Sequence, residues 1–174
     1  MQKASAQVKS AIMLAALNMH GTTKIIEKQN TRDHTERLMR YLKINFKKKI
    51  LSKNSTSIEL NGGYEIKPRN IIIASDPSSA AFFIVGALII PGSVITLKNI
   101  ALNKSRIAYI DVLKKMGGKI KIRKTKTLSG EDVGDINVSY SLLRGVRIKA
   151  SLSPYLIDEY PILSIAASQA RGIT

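Results

Sequence analysis

The sequence of 174 residues contains no cysteine and only two histidines. Without cysteine there can be no disulfide framework, no thiol nucleophile and no thiolate metal ligand. Two histidines alone are too few for a zinc site. We therefore predict that the protein holds no metal ion.

Long hydrophobic runs are also missing. The longest apolar run, counting glycine as apolar, covers residues 80–90, whereas a membrane-spanning helix needs about 18 such residues or more. The first residues include no apolar segment of the kind found in signal peptides. We expect no membrane insertion and a cytoplasmic location.

Acidic and aromatic residues are scarce. The chain has 28 Lys and Arg against 12 Asp and Glu, a net charge of +16, and only 5% aromatic residues. Such a charge attracts polyanions or phosphorylated small molecules, so a nucleic-acid-binding protein is one alternative. However, the lysines are spread along the chain, and the aromatic residues form no cluster on which bases could stack. A solvated basic surface is the favoured interpretation, and we expect no nucleic-acid partner.

What the sequence does contain is a repeated pattern. Three apolar stretches have helical spacing, and each is followed by a glycine suited to the positive φ of a helix end. The stretches are residues 11–17, 80–88 and 160–167, and the glycines are Gly21, Gly92 and Gly172. After the first two glycines, residues 22–27 and 93–97 have the composition of strands.

The first two copies continue alike, which predicts an α/β (α+β) fold of repeated βαβαββ units. Nearly all-apolar first helices must be buried on several sides, inside a ring of sheets. In the third copy only the first helix is present, so we expect the chain to be an internal part of a longer protein. The Asn61-Gly62-Gly63 stretch predicts a hairpin between residues 58–60 and 64–66. The remaining predicted elements are helices at 33–42 and 105–116 and strands at 44–46, 119–122, 136–138 and 146–148.

Two candidate anion sites lie at predicted helix starts. Ser5-Ala6-Gln7 opens the first apolar helix, where free N–H groups and the positive dipole end can hold a phosphate or carboxylate. The alternative is that Ser5 only caps the helix. Arg32 could bind a phosphate or carboxylate through two hydrogen bonds. The alternative there is purely structural, with Thr31 or Asp33 as the cap and Glu36 as its capping-box partner.

A candidate base precedes the third apolar helix. Either Asp158 or Glu159 could face a cleft and remove a proton from a substrate hydroxyl. Alternatively, both could simply be caps stabilised by the helix dipole. Two further stretches have structural interpretations: Asp76 is predicted to cap the second apolar helix with Pro77 at its first position, and residues 130–135 form a turn.

Five motifs together resemble the 5-enolpyruvylshikimate-3-phosphate synthase family of enolpyruvyl transferases, in the branch whose motif has Ser-Ala-Gln. They span the chain in the family's order, which makes the resemblance specific. The motifs are Ser-Ala-Gln-Val-Lys-Ser-Ala from Ser5, Thr-Arg-Asp-His-Thr-Glu from Thr31, Asp-Pro-Ser-Ser-Ala-Ala-Phe from Asp76, Gly-Glu-Asp-Val from Gly130, and Ile-Asp-Glu-Tyr-Pro-Ile-Leu from Ile157.

The resemblance implies an inverse α/β barrel enzyme of two domains, each with three βαβαββ units, and an active site in the cleft between the domains. Residues 1–68 would be the last part of one domain, with one repeat unit. Residues 69–174 would be part of the second domain, with one full unit and the start of another.

The resemblance also implies the chemistry. The family transfers the enolpyruvyl group of phosphoenolpyruvate to the 5-hydroxyl of shikimate 3-phosphate, releases phosphate and uses no cofactor. We expect the parent enzyme to be a monomer. Ser5 and Ala6 would hold the shikimate phosphate, Gln7 would touch both substrates, Arg32 would contact shikimate 3-phosphate, and Asp158 would accept the hydroxyl proton. Most phosphoenolpyruvate contacts of the family have no counterpart here, so we expect the chain alone to be inactive. The related transferase acting on UDP-N-acetylglucosamine is the nearest alternative.

Overall fold

The computed structural model describes residues 1, 3–63 and 65–174, which form two compact units, Met1–Ile72 and Ile73–Thr174. Both units contain the element order α-β-α-β-β, and three short helices follow in the second unit. This repetition confirms the predicted α/β class. The assignment of residues 1–68 and 69–174 to two domains of a larger enzyme stays a prediction. No helix in the described part of the chain is both long and apolar enough to cross a bilayer.

The first unit packs two helices against a three-stranded antiparallel sheet with the strand order β1-β3-β2. Its core lies between the central strand, which carries Ile58 and Leu60, and the inner faces of the helices, which carry Met13 and Met39. The elements are α1 (Ala6–Leu17), β1 (Thr22–Glu27), α2 (His34–Tyr41), β2 (Phe46–Ser52) and β3 (Ser55–Asn61).

The second unit repeats this arrangement with the strand order β4-β6-β5 and a larger core. The central strand again supplies fully buried side chains, here Val133, Ile136 and Val138. The elements are α3 (Pro77–Ile89), β4 (Val94–Ala101), α4 (Ala108–Lys115), β5 (Lys119–Leu128) and β6 (Glu131–Ser139), then a 3-10 helix (Ala150–Leu152), α5 (Ser153–Leu156) and α6 (Tyr160–Ser168).

The predicted helix boundaries follow local chemistry. The backbone N–H of Ser79 donates to the Asp76 carboxylate at 2.8 Å, and Pro77 begins α3, as capping preferences predict. After the three apolar helices, Gly21, Gly92 and Gly172 have φ of +94°, +79° and +91°. A side chain would strain each of these left-handed conformations.

The hairpin predicted around Asn61-Gly62-Gly63 is wrong. The chain instead turns at Lys53 and Asn54, which join β2 to β3. Gly62 N–H donates to Gly21 O at 3.1 Å and Gly63 N–H to Leu17 O at 3.0 Å. The two glycines therefore close the C-terminal end of α1, and residues 65 and 66 form no strand; Tyr64 lies outside the described residues.

The strand predicted at residues 146–148 is also wrong. Gly145 N–H donates to Arg171 O at 2.8 Å, and only a single parallel bridge joins Arg144 to Arg171, so no ladder forms. The turn predicted at residues 130–135 is shorter than expected. It consists of Ser129 and Gly130, and β6 begins at Glu131 because its alternate residues are buried in the sheet core.

Candidate functional site

The N-terminus of α1 forms the predicted Ser-Ala-Gln turn. Ser5 is the N-cap: its Oγ accepts from Val8 N–H at 3.2 Å and lies 3.4 Å from Gln7 Oε1. Ser5 and Ala6 are half-buried, Gln7 is exposed, and the first turn contains no acidic residue. Ser5 thus caps α1, as the structural interpretation predicts. Because no carboxylate in the first turn offsets the positive end of the helix dipole, this helix start also favours an anion.

Arg32 lies half-buried just before α2, but the predicted capping box is wrong. Asp33 occupies the N-cap position without a side-chain capping bond; its carboxylate accepts from Arg37 Nε at 3.0 Å. Thr31 donates its hydroxyl proton to Glu27 Oε1 at 2.6 Å. Glu36 does not reach back to the cap because its side chain is fully buried.

The carboxylate of Glu36 belongs to a buried ion cluster centred on Lys9. Lys9 Nζ lies 3.0 Å from Glu36 Oε1 and 3.3 Å from Glu27 Oε2, and at most 1% of any of these side chains is exposed. Lys48 Nζ adds a contact of 3.3 Å to Glu36, and the Thr56 hydroxyl donates to Glu27 at 3.2 Å. We call Lys9, Glu27 and Glu36 the buried triad.

The buried triad fastens the first turn of α2 to α1. A hydrogen bond of 2.6 Å between the hydroxyls of Ser10 and Thr35 joins the helices at the same level. Ser5 lies one helical turn before Lys9, and Arg32 lies four residues before Glu36. The contacts between α1 and α2 thus lie about one helical turn beyond Ser5 and Arg32.

In the second unit, Asp158 lies between α5 and α6 with 42% of its side chain exposed. Arg106 Nη1 donates to its Oδ2 at 3.4 Å. The neighbouring Glu159 is at the N-cap position of α6 but makes no side-chain capping bond; it is buried and accepts a hydrogen bond from the Ser78 hydroxyl. The capping interpretation therefore fails for Glu159, whose carboxylate is directed toward the start of α3.

Arg106 joins these groups, although no sequence motif marks it. Its Nη2 donates to Asp76 Oδ1 at 3.2 Å and to Ser78 Oγ at 2.7 Å, and 16% of its side chain is exposed. We call Asp76, Ser78, Arg106 and Asp158 the Arg106 cluster. No local signal could have marked Arg106 among 28 basic residues, since its partners lie 30 and 52 positions away.

Asp76, at the start of α3, and Tyr109, on α4, both lie near Arg106 and both have shifted pKa values. Burial raises the pKa of Asp76, but hydrogen bonds from Ser79 and from the Ser78 N–H, together with the Arg106 charge, outweigh burial and leave the pKa of Asp76 below its ordinary value. Burial, reinforced by the charge of Glu159, raises the pKa of Tyr109, so its hydroxyl stays protonated and donates to Pro77 O at 2.8 Å.

Asp76 provides a prediction for stability. Asp76→Ala should lower the free energy of unfolding by about 1 kcal/mol at neutral pH because the N-cap is lost, while Asp76→Asn, which still caps, should cost less. Folding lowers the pKa of Asp76, so the ionised aspartate stabilises the protein more than asparagine does. This difference in the free energy of unfolding is complete at pH values above the unfolded-state pKa and disappears as the pH falls through the folded-state pKa. Urea denaturation of the three proteins across this pH range measures both effects. An advantage that grows on acidification would contradict the assignment.

No group of three or more histidine, aspartate or glutamate side chains that could hold a metal ion occurs within residues 1, 3–63 and 65–174. What the described residues offer instead is a helix start suited to an anion, an arginine beside it and, in the second unit, a carboxylate held by a guanidinium. These groups can bind phosphate and accept a proton.

Comparison with known proteins agrees with this chemistry. The family model described as EPSP synthase (3-phosphoshikimate 1-carboxyvinyltransferase) matches residues 1–174. The 3-phosphoshikimate 1-carboxyvinyltransferases of Petrotoga mobilis and Sphingopyxis alaskensis are 47% and 45% identical to the chain over 171 residues. Each alignment covers 98% of the chain but only 39% and 38% of the respective relative.

A solved structure gives the same result for the fold. EPSP synthase from Acinetobacter baumannii matches with a TM-score of 0.85 and 40% identity, covering 97% of this chain and 38% of that chain. The resemblance carried by the five motifs is confirmed, and the chain belongs to the EPSP synthase family.

Proposed function

We propose that the chain, as part of a longer enzyme, takes part in transferring the enolpyruvyl group of phosphoenolpyruvate to the 5-hydroxyl of shikimate 3-phosphate with release of phosphate. It supplies mainly the shikimate 3-phosphate side of the site and is inactive alone. The observation that carries this proposal is the match to the family model, which spans all 174 residues and includes every predicted site residue. The relatives bear the name of this transfer. No observation favours the UDP-N-acetylglucosamine transferase over it.

The first unit supplies groups for binding the phosphorylated substrate. We assign the phosphate of shikimate 3-phosphate to the start of α1, at Ser5 and Ala6, because N–H groups and the positive dipole end favour an anion there. Gln7, exposed on the same turn, can donate and accept hydrogen bonds to both substrates. Arg32 adds a charged donor from the neighbouring helix start.

The second unit supplies the proton acceptor. As the 5-hydroxyl oxygen forms its bond to the enolpyruvyl carbon, the hydroxyl proton passes to Asp158. In the overall transfer the bond from that carbon to the phosphate oxygen breaks, and the released phosphate takes up one proton, so Asp158 returns to its ionised form. A carboxylate with part of its surface exposed, as in Asp158, is accessible to such a hydroxyl. The proposal further includes a monomeric cytoplasmic enzyme without a nucleic-acid partner.

Calorimetric titration of the full-length gene product with shikimate 3-phosphate tests the proposal. We expect one site per chain, and Arg32→Ala should weaken binding by about 10- to 100-fold because a charged hydrogen bond is lost. Arg40→Ala is the matched control, since it removes the same charge from the last turn of α2, where Arg40 lies over the Phe46 ring. Absence of binding to the unmodified protein would refute the proposal, and equal losses in both variants would refute the role of Arg32.

A further inference from the structure

The carboxylate of Asp158 is held by a group that is itself fixed. Asp158 lies in the short connection between α5 and α6, and its exposed side chain contacts Arg106 Nη1 at 3.4 Å. An exposed aspartate without such a partner would exchange among staggered rotamers. The contact with Arg106 therefore selects one direction for the carboxylate.

The guanidinium is anchored on the opposite side by the start of α3. Its Nη2 contacts Asp76 Oδ1 at 3.2 Å and Ser78 Oγ at 2.7 Å. Asp76 is held in turn by the N–H and the hydroxyl of Ser79, at 2.8 and 2.9 Å. Because the guanidinium is planar, fixing Nη2 also fixes the direction in which Nη1 points.

The start of α6 is tied to the same point. Ser78 accepts a hydrogen bond from Arg106 and donates its own proton to Glu159, the residue after Asp158. Hydrogen bonds thus connect both the Asp158 carboxylate and the residue next to it to the first turn of α3. The two connections meet at Ser78, and Asp76 adds a second anchor for Arg106 on the same helix end.

We infer that Arg106 is a positioning residue for Asp158: through Asp76 and Ser78 it fixes the carboxylate in the direction required for proton transfer. The inference rests on the proposed function, because it takes Asp158 as the proton acceptor. A misdirected base lowers the rate of the chemical step more than it lowers substrate affinity, and misplacement by about 1 Å can cost on the order of 100-fold in rate.

A double-mutant cycle in the full-length gene product tests the inference. Arg106→Gln should lower kcat by about 10- to 100-fold with little change in the KM for shikimate 3-phosphate, and Arg106→Lys, which keeps the charge but not the fork, should restore part of the loss. In an Asp158→Asn background, Arg106→Gln should cause no further loss, because the group on which it acts is gone. Arg123→Gln on the exposed part of β5 is the control of equal charge. If the losses in kcat caused by Arg106→Gln and by Asp158→Asn were fully additive in the double variant, the inference would be overturned.

A second measurement separates this inference from the proposed function and needs no activity. The Hα–Hβ coupling constants of Asp158, measured by NMR in the same protein, should show one rotamer in the unmodified protein and averaging in Arg106→Gln. If Arg106→Gln does not fold, Ser78→Ala takes its place in the experiment. This milder change leaves Arg106 present and should give partial averaging of the Asp158 coupling constants. If the unmodified protein has no transferase activity but Arg106→Gln still averages the Asp158 rotamers, the proposed function is refuted and the inference about Arg106 stands. A single Asp158 rotamer persisting in the variants would overturn the inference whatever the activity.

Discussion

Replacing Lys9 with methionine should lower the free energy of unfolding of the first unit by about 3–5 kcal/mol. The substitution leaves Glu27 and Glu36 without the cation that lies 3.3 and 3.0 Å from them. Both carboxylates are buried, and one oxygen of Glu36 already has no hydrogen-bond partner. Glu27 then keeps hydrogen bonds from the Thr31 and Thr56 hydroxyls, and Glu36 keeps the Lys48 ammonium at 3.3 Å. Both buried carboxylates still lose the buried cation that they share, and this loss outweighs any change in packing.

Amide hydrogen exchange measures this loss within the first unit. The amides of Ile58 and Leu60, on the central strand β3, should lose protection in Lys9→Met, because their exchange reports the opening of the unit's core. Lys24→Met makes the same change at an exposed position of β1 and should alter stability by less than about 0.5 kcal/mol. Adding Glu27→Gln and Glu36→Gln to Lys9→Met should recover part of the loss. Equal effects of Lys9→Met and Lys24→Met would show that the buried triad contributes nothing.

Local patterns were enough to predict much of the fold. The apolar helices, the strands that follow them and the positive φ of Gly21 and Gly92 each depend on residues close in sequence. The Asp76 cap was predictable for the same reason. The hairpin at Asn61-Gly62-Gly63 was predicted wrongly because an Asn-Gly pair is a turn signal only when both flanking strands find partners, and here the glycines meet the end of α1 instead.

The candidate site was predictable only in part, since its charged contacts join distant residues. The motifs selected Ser5, Ala6, Gln7, Arg32 and Asp158, whose roles stay predictions. The buried triad was missed, although a signal existed: Lys9 occupies the position of an apolar residue on the buried face of α1, in line with Met13 and Ala16. Lysine is rarely buried unless it is paired, so a lysine on that face indicates carboxylate partners elsewhere in the sequence.

Gly62→Ala should destabilise the first unit by about 3 kcal/mol or more, since overpacking at a rigid backbone contact has no cheap relief. A Cβ at Gly62 would lie 2.0 Å from both Ala16 O and Met19 O. Ala16 lies in the last turn of α1, Met19 lies two residues after the helix, and Gly62 directly follows β3, so the methyl group must push the end of β3 away from the end of α1. Because Ser5 lies at the other end of α1, the substitution should also weaken binding of shikimate 3-phosphate at temperatures where the protein is still folded.

Gly21→Ala is the matched control for this prediction. Gly21 has a positive φ of +94° but open space where its Cβ would lie, whereas Gly62 has no positive φ and no space. Gly21→Ala should therefore cost only the conformational strain, about 1–2 kcal/mol. Exchange of the Ile58 and Leu60 amides measures both variants. A larger loss for Gly21→Ala than for Gly62→Ala would mean that backbone strain, and not the close approach of Gly62 to the carbonyls of α1, controls how this helix is held on its sheet.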